Sequence, residues 1–358
     1  MHITDTTKYQ AKWLIGSLIL VNVALWIIAL LLSYEYPVLL SPALLSYTLG
    51  LRHAVDADHI AAIDNITRKM LNENRQPISI GLYFSLGHAS VVVLMTTAVM
   101  FSAPYVSSFL SASQQVGAIF CTCVSAGFLF IIGTINFIIF LQLIRVLKDN
   151  KQTDSVVADH HDLESKNMSE GTTGDIPSPG GFFSSLFPQL FGYIDSPTKM
   201  FPLGFLFGLG FDTASEVALL AVAAIAHEQH KLPPTVILIL PLLFTAGMSL
   251  IDTLDGIMML WAYGWAFVDP SSRIFYNLFL TGVSALIAYV IGAIEALGVL
   301  IEQFGWKGEV WHSIYKLSDN FESIGYVIIA IFMLAFGSSV LLYQMHMCRS
   351  RRAQYLSI

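Results

Sequence analysis

The chain has 358 residues, 55% of them hydrophobic and 12% charged, with a formal net charge of −7 and a mean hydropathy of +0.66. This balance excludes an ordinary soluble domain and points to an all-α polytopic membrane protein, with no alternating barrel pattern to compete. The three cysteines, Cys121, Cys123 and Cys348, offer neither a disulfide framework nor a paired metal motif, and no basic cluster suggests nucleic acid.

A membrane-spanning helix needs roughly 20 mostly apolar residues. In chain order eight segments qualify: Trp13 to Leu32, Val38 to Asn65, Ile78 to Phe101, Val116 to Leu147, Pro202 to Ala226, Thr235 to Trp261, Ile274 to Ile301 and Ile324 to Met345. The first lacks a small-residue cleavage site and is too long for a signal-peptide core, so it reads as a retained span. With the N-terminus in the cytoplasm, fourteen Lys and Arg residues fall on the inner side and three, Lys231, Lys307 and Lys316, on the outer side, with Arg52 inside a span. That asymmetry predicts eight spans in a cell membrane, a bacterial inner membrane, with both termini cytoplasmic. The chain then divides into a first membrane half at 1–147, a flexible cytoplasmic loop at 148–200 and a second membrane half at 201–358. Within the loop, Asp159-His160-His161-Asp162 has metal-binding residue types but reads first as a solvated pair, and Gly181 to Tyr193 suits the membrane surface.

The second span carries the densest chemistry, Arg52-His53-Ala54-Val55-Asp56-Ala57-Asp58-His59. Ionisable groups inside a membrane are costly and mark ion pathways or sites. On a continuous helix Arg52, His53, Asp56 and His59 share an arc of about 120°, with Asp58 about 100° outside it. Imidazoles suit nickel, cobalt, zinc or copper, whereas an all-carboxylate cage would suit magnesium or calcium; the alternative is an ion-paired network with Arg52 fastening helices together. His88 lies in the third span and Asp212 and Glu216 lie four residues apart in the fifth, where two carboxylates repel unless a cation or proton sits between them. The sixth span places Met248, Ser249, Asp252, Asp255 and Gly256 on one face, with Met248 ranked below the acids because Met commonly fills core gaps. Asn136 and Glu295 are further intramembrane polar groups that serve equally well as helix-bridging residues.

A weak repeat runs between the halves. Phe84-Ser85-Leu86-Gly87-His88 parallels Phe244-Thr245-Ala246-Gly247-Met248, and Gly50-Leu51 parallels Gly208-Leu209, at intervals of 34 and 36 positions. Spans two and five run in opposite directions in this topology, so the repeat would be inverted, the arrangement that sets transporter sites where halves meet.

Four segments together, Arg52 through Ile60, Leu86 through Val92, Leu209 through Glu216 and Gly247 through Gly256, resemble the nickel/cobalt transporter family, the NiCoT permeases. The resemblance covers the chain from span two through span six in order. It implies an eight-span secondary permease in which the His-x4-Asp-His element, here His53, Asp58 and His59, is central to recognising a divalent transition-metal ion. The chain departs from the family at Ala89-Ser90 and at Leu254. The expected metal set is His53, Asp56, Asp58, His59, His88, Asp212, Glu216, Asp252 and Asp255, serving uptake of Ni2+ or Co2+. The ion is cargo, so no cofactor and no catalytic residue is expected, and membrane lipid is the surrounding medium. No protein partner is required, although no phosphate-loop sequence is present and a separate energising ATPase is the reading to test against. Two further alternatives are an efflux permease of the same fold and a membrane acyltransferase using His53 and Asp58.

Overall fold

A computed structural model describes residues 5–72, 75–101, 119, 122–145, 196–209, 214–228, 231–266, 270–319 and 323–334. The secondary structure of these residues is helical throughout: α1 (Asp5–Glu35), α2 (Leu40–His53), α3 (Ala57–Asn72), α4 (Ile80–Phe101), α5 (Thr122–Arg145), α6 (Met200–Gly208), α7 (Ala214–Glu228), α8 (Ile239–Ala266), α9 (Pro270–Phe304), α10 (Glu309–Asp319) and α11 (Ser323–Leu334). A single turn at Pro234–Ile237 leads into α8. Among the described residues five helices are long and apolar enough to cross a membrane: α1, α4, α5, α8 with its leading turn, and α9.

The first helix lies on the perimeter. Its buried residues are Thr7, Ala11, Leu18, Asn22 and Ala29, whose alternating spacing of four and seven makes one narrow stripe and leaves the other faces for lipid. Asn22 fastens that stripe to α8, its Nδ2 donating to the Ala246 carbonyl at 3.2 Å. The most polar helix sits innermost. In α3 every residue from His59 to Leu71 is buried, Asp64, Asn65, Thr67, Arg68 and Lys69 among them. Buried polar groups must find partners, and here they bridge helices: Asn136 of α5 donates to Asn65, and Arg68 donates to Thr281 and Ser284 of α9 at 3.1 and 2.7 Å.

Two of the anticipated spans are each built from two helices. The segment drawn as Val38 to Asn65 breaks between α2 and α3, and the segment drawn as Pro202 to Ala226 comprises α6 and α7, with 210–213 outside the described residues. Span eight is described only as far as Leu334. The amphipathic α10 was not anticipated. It is largely exposed, and Trp306 packs between Phe304 and Trp311 at ring distances of 5.9 and 4.7 Å, as aromatic residues do at a membrane interface. Gly305, at φ +60°, supplies the left-handed residue that ends α9.

Glycines set the closest helix approaches. A Cβ on Gly50 would sit on the Phe244 carbonyl, and one on Gly204 would sit on the Phe84 carbonyl. Likewise Gly87 abuts the Phe201 carbonyl and Gly247 the Tyr47 carbonyl. The contacts are reciprocal: α2 against α8 is matched by α6 against α4.

Candidate metal centre

The break between α2 and α3 builds the centre. After Ala54 N–H bonds to Gly50 O, the ladder tightens: Val55 N–H reaches Arg52 O at 3.1 Å and Asp56 N–H reaches His53 O at 3.0 Å. These i to i−3 bonds close α2, and Asp56 O accepts the first bond of the next helix from Ile60 N–H at 3.1 Å. Asp56 therefore caps α3, and Asp58 Oδ1 accepts the His59 N–H at 2.9 Å, two acids at a helix N-terminus where the dipole favours them. Neither Gly nor Pro causes the break. The Val55 carbonyl it frees is approached by Gly325 of α11, where a Cβ would leave no room.

The break brings His53, at the end of α2, and His59, at the start of α3, together with His88 of α4. Their ring centroids form a near-equilateral triangle of 4.7, 4.7 and 4.8 Å, all three are buried, and one nitrogen of each lies within 4.8 Å of the others. His53 Nε2 is 2.9 Å from His88 Nε2. Glu216, in the first turn of α7, places Oε1 2.7 Å from His88 Nε2 and 4.0 Å from His53 Nε2. A metal ion about 2.1 Å from two adjacent ligands holds them about 3 Å apart, so these separations lie within the span of a single ligand shell.

The remaining acids divide by position. Asp56 Oδ2 is 2.9 Å from His53 Nδ1, and Asp252 of α8 is 3.4 Å from His59 Nδ1. Each carboxylate faces the far nitrogen of its ring, and His59 Nε2 has no hydrogen-bond partner among the described residues. This is the carboxylate–imidazole pairing that fixes a ring's tautomer and turns its other nitrogen towards an ion. Asp58 is half-buried beside His59, and Asp255 lies one turn beyond Asp252. Asp212 lies outside the described residues, as does the His160-His161 pair. Arg52 is exposed; the interrupted helix separates it from Asp56 and His59, with which a continuous helix would have given it a common arc. Phe84 meets His59 edge-on at 4.8 Å, and Phe244 lies 5.5 Å from His53, so two fully buried aromatic rings flank the histidines.

Some residues of this neighbourhood escaped the sequence reading. Asp64 is buried against Ser284 and Arg68, but in sequence it adjoins the polar end of its segment and looks like the membrane boundary. Met248 is buried in an apolar cluster with Phe244 and Leu243.

The profile of the NicO family, described as high-affinity nickel-transport protein, matches residues 39–342. The chain is 42% identical over 345 residues to the high-affinity nickel transport protein of Cupriavidus necator, covering 96% of this chain and 95% of that protein. It is 39% identical over 337 residues to the nickel transporter NixA of Staphylococcus aureus (94% and 95% covered), and 34% identical over 347 residues to the cobalt transport protein NhlF of Rhodococcus rhodochrous (94% and 93% covered). No solved structure matches the chain. With this agreement along almost its whole length, the chain belongs to the NicO family of high-affinity nickel-transport proteins.

Proposed function

We propose that this protein is a permease that takes up Ni2+, and Co2+ as a second substrate, across the cytoplasmic membrane. Relatives named for nickel and for cobalt transport support the cargo, and the same names displace the acyltransferase alternative. The observation that carries the site is the convergence of three buried imidazoles and Glu216 at the α2–α3 break. In this reading His53, His59, His88 and Glu216 ligate the ion, while Asp56 and Asp252 orient His53 and His59. Asp58 adds charge at the start of α3, and Asp212 is assigned to the same seam through its place four residues before Glu216. A donor set of imidazoles with one carboxylate suits nickel and cobalt better than magnesium or calcium.

The reading includes eight spans with both termini and the 148–200 loop in the cytoplasm, and an inverted repeat joining the two membrane halves. The reciprocal glycine contacts support the repeat and adjust its register: Gly50 pairs with Gly204 rather than with Gly208, while Phe84 keeps Phe244 as its counterpart. On that topology Phe244 closes the site from the outside and Phe84 from the inside, and uptake alternates which ring withdraws. The test is isotopic nickel and cobalt uptake by cells expressing the chain alone, with competing metals. Accumulation above an empty-vector control is expected; none in a correctly inserted protein, or none without a co-expressed ATPase, would refute a self-sufficient permease.

A further inference from the structure

Beyond the histidines, α3 and α8 each carry one more buried acid. Asp255 stands one turn along α8 from Asp252, is 9% exposed, and has no hydrogen-bond partner among the described residues on either carboxylate oxygen. The turn that carries Asp255 packs on the turn of α3 that carries Asp64: a Cβ on Gly256 would lie 3.5 Å from Ile63 Cγ2. Asp64 is already engaged: Ser284 Oγ donates to it at 2.5 Å and Arg68 Nη2 lies 3.9 Å away. Arg68 is itself held by Thr281 and Ser284. Arg68 is therefore engaged with Asp64, Thr281 and Ser284, and among the described residues neither carboxylate oxygen of Asp255 has a hydrogen-bond partner. A buried carboxylate with both oxygens bare is a costly arrangement that an ion from outside the chain would relieve. The group is continuous with the histidine site, because Asp252 touches His59 at 3.4 Å.

We infer that Asp255, with Asp252 and Asp64, forms a second cation station that receives a divalent ion released from the histidine cluster, on the side of the protein towards Arg68. This rests on the permease reading above and divides its ligand set into a nitrogen-rich site and an oxygen-only site. Carboxylate oxygens alone bind transition ions less tightly than imidazoles do and accept hard ions such as Mn2+. A weaker station after a tighter one lets the ion leave.

The two sites can be read separately on the detergent-purified full-length protein, with Mn2+ followed by electron paramagnetic resonance and Co2+ by its ligand-field absorption. Asp255→Asn is expected to weaken Mn2+ binding about tenfold or more, Asp64→Asn to weaken it as well, and His53→Ala to leave it unchanged while removing the Co2+ band. Asp255→Glu, which keeps a carboxylate, should retain Mn2+ and covers the case in which the Asn variant fails to fold. Mn2+ binding that is absent from the wild type, or equal in Asp255→Asn and wild type, overturns the second station. A Co2+ band that survives His53→Ala would instead overturn the histidine site, leaving the Mn2+ comparison to judge the station on its own.

Discussion

Helices α2 to α4 and helices α6 to α8 use the same packing for different chemistry. Each group contributes a glycine to each of two contacts with the other, Gly50 and Gly247 where α2 meets α8, Gly87 and Gly204 where α4 meets α6. Yet the imidazoles at the site, His53, His59 and His88, all come from the first group, which also carries Asp56, Asp58 and Asp64, whereas the second brings carboxylates to it, Glu216, Asp252 and Asp255. Four residues after the paired phenylalanines the first group has His88 and the second has Met248, buried among apolar side chains. The backbone is alike where helices must touch and differs where donors point. Neither group alone offers the set that meets at the α2–α3 break, so the seam between them is where an ion would be held.

The hardest test of that division removes the nitrogens. His53→Ala, His59→Ala and His88→Ala should each abolish nickel uptake and weaken binding to the purified protein at least about a hundredfold, since each deletes a donor from a buried site. Glu216→Gln should come close to this, because the oxygen half contributes the one carboxylate in direct reach of His88. Wild-type uptake by a properly inserted Glu216→Gln protein would end the claim that both halves bind the ion.

Asp56→Asn and Asp252→Asn sharpen the comparison at the next level. Acting through His53 and His59, they should lower metal affinity about 10- to 100-fold without abolishing it. X-ray absorption of bound nickel should show the same number of nitrogen neighbours as in the wild type; loss of an oxygen ligand on either substitution would make that aspartate a direct ligand.

Much of this was legible in the sequence, and the misses have definite causes. His53, His59, His88 and Glu216, which the structure brings together, stood out in the sequence because intramembrane charge is rare. The helix break was hidden because Leu51 to Ile60 contains neither Gly nor Pro; two i to i−3 bonds and the approach of Gly325 make it. A continuous helix therefore placed Arg52 and His53 on one arc with Asp56 and His59. The one-turn difference in repeat register arose because Gly204 and Gly208 are four residues apart, so either fits the same helical face. Asp64 merged into the polar end of its segment, and only the contacts from α9 distinguish it.

The glycine contacts give a smaller and symmetrical effect. Gly50→Ala and Gly204→Ala each force a methyl onto a backbone carbonyl, an overpacking that should cost about 1–3 kcal/mol of stability. Gly16→Ala, with nothing within 4 Å of the added carbon, should be neutral or slightly stabilising. Thermal unfolding in detergent measures all three. A large loss at Gly50 with none at Gly204 would mean that the two halves do not share the packing ascribed to them.

The smallest effect follows pH and separates nitrogen from oxygen donors. A protonated imidazole has no lone pair for a metal, so binding at the histidine site must expel any proton that the ligating nitrogen carries. The sign is fixed: affinity should fall as pH decreases through the range where histidine titrates, around ~6.5 when unperturbed. For each proton expelled, the dissociation constant should rise about tenfold per pH unit below that range. Calorimetric titration in buffers of different ionisation enthalpy counts those protons directly. The count should drop in His88→Ala relative to wild type, since a ring that no longer binds the ion no longer competes for protons. If no proton were released and affinity stayed flat between about pH 5.5 and 8, nitrogen from α2 to α4 would not be ligating the ion, and the contrast between the two groups of helices would lose its chemical meaning.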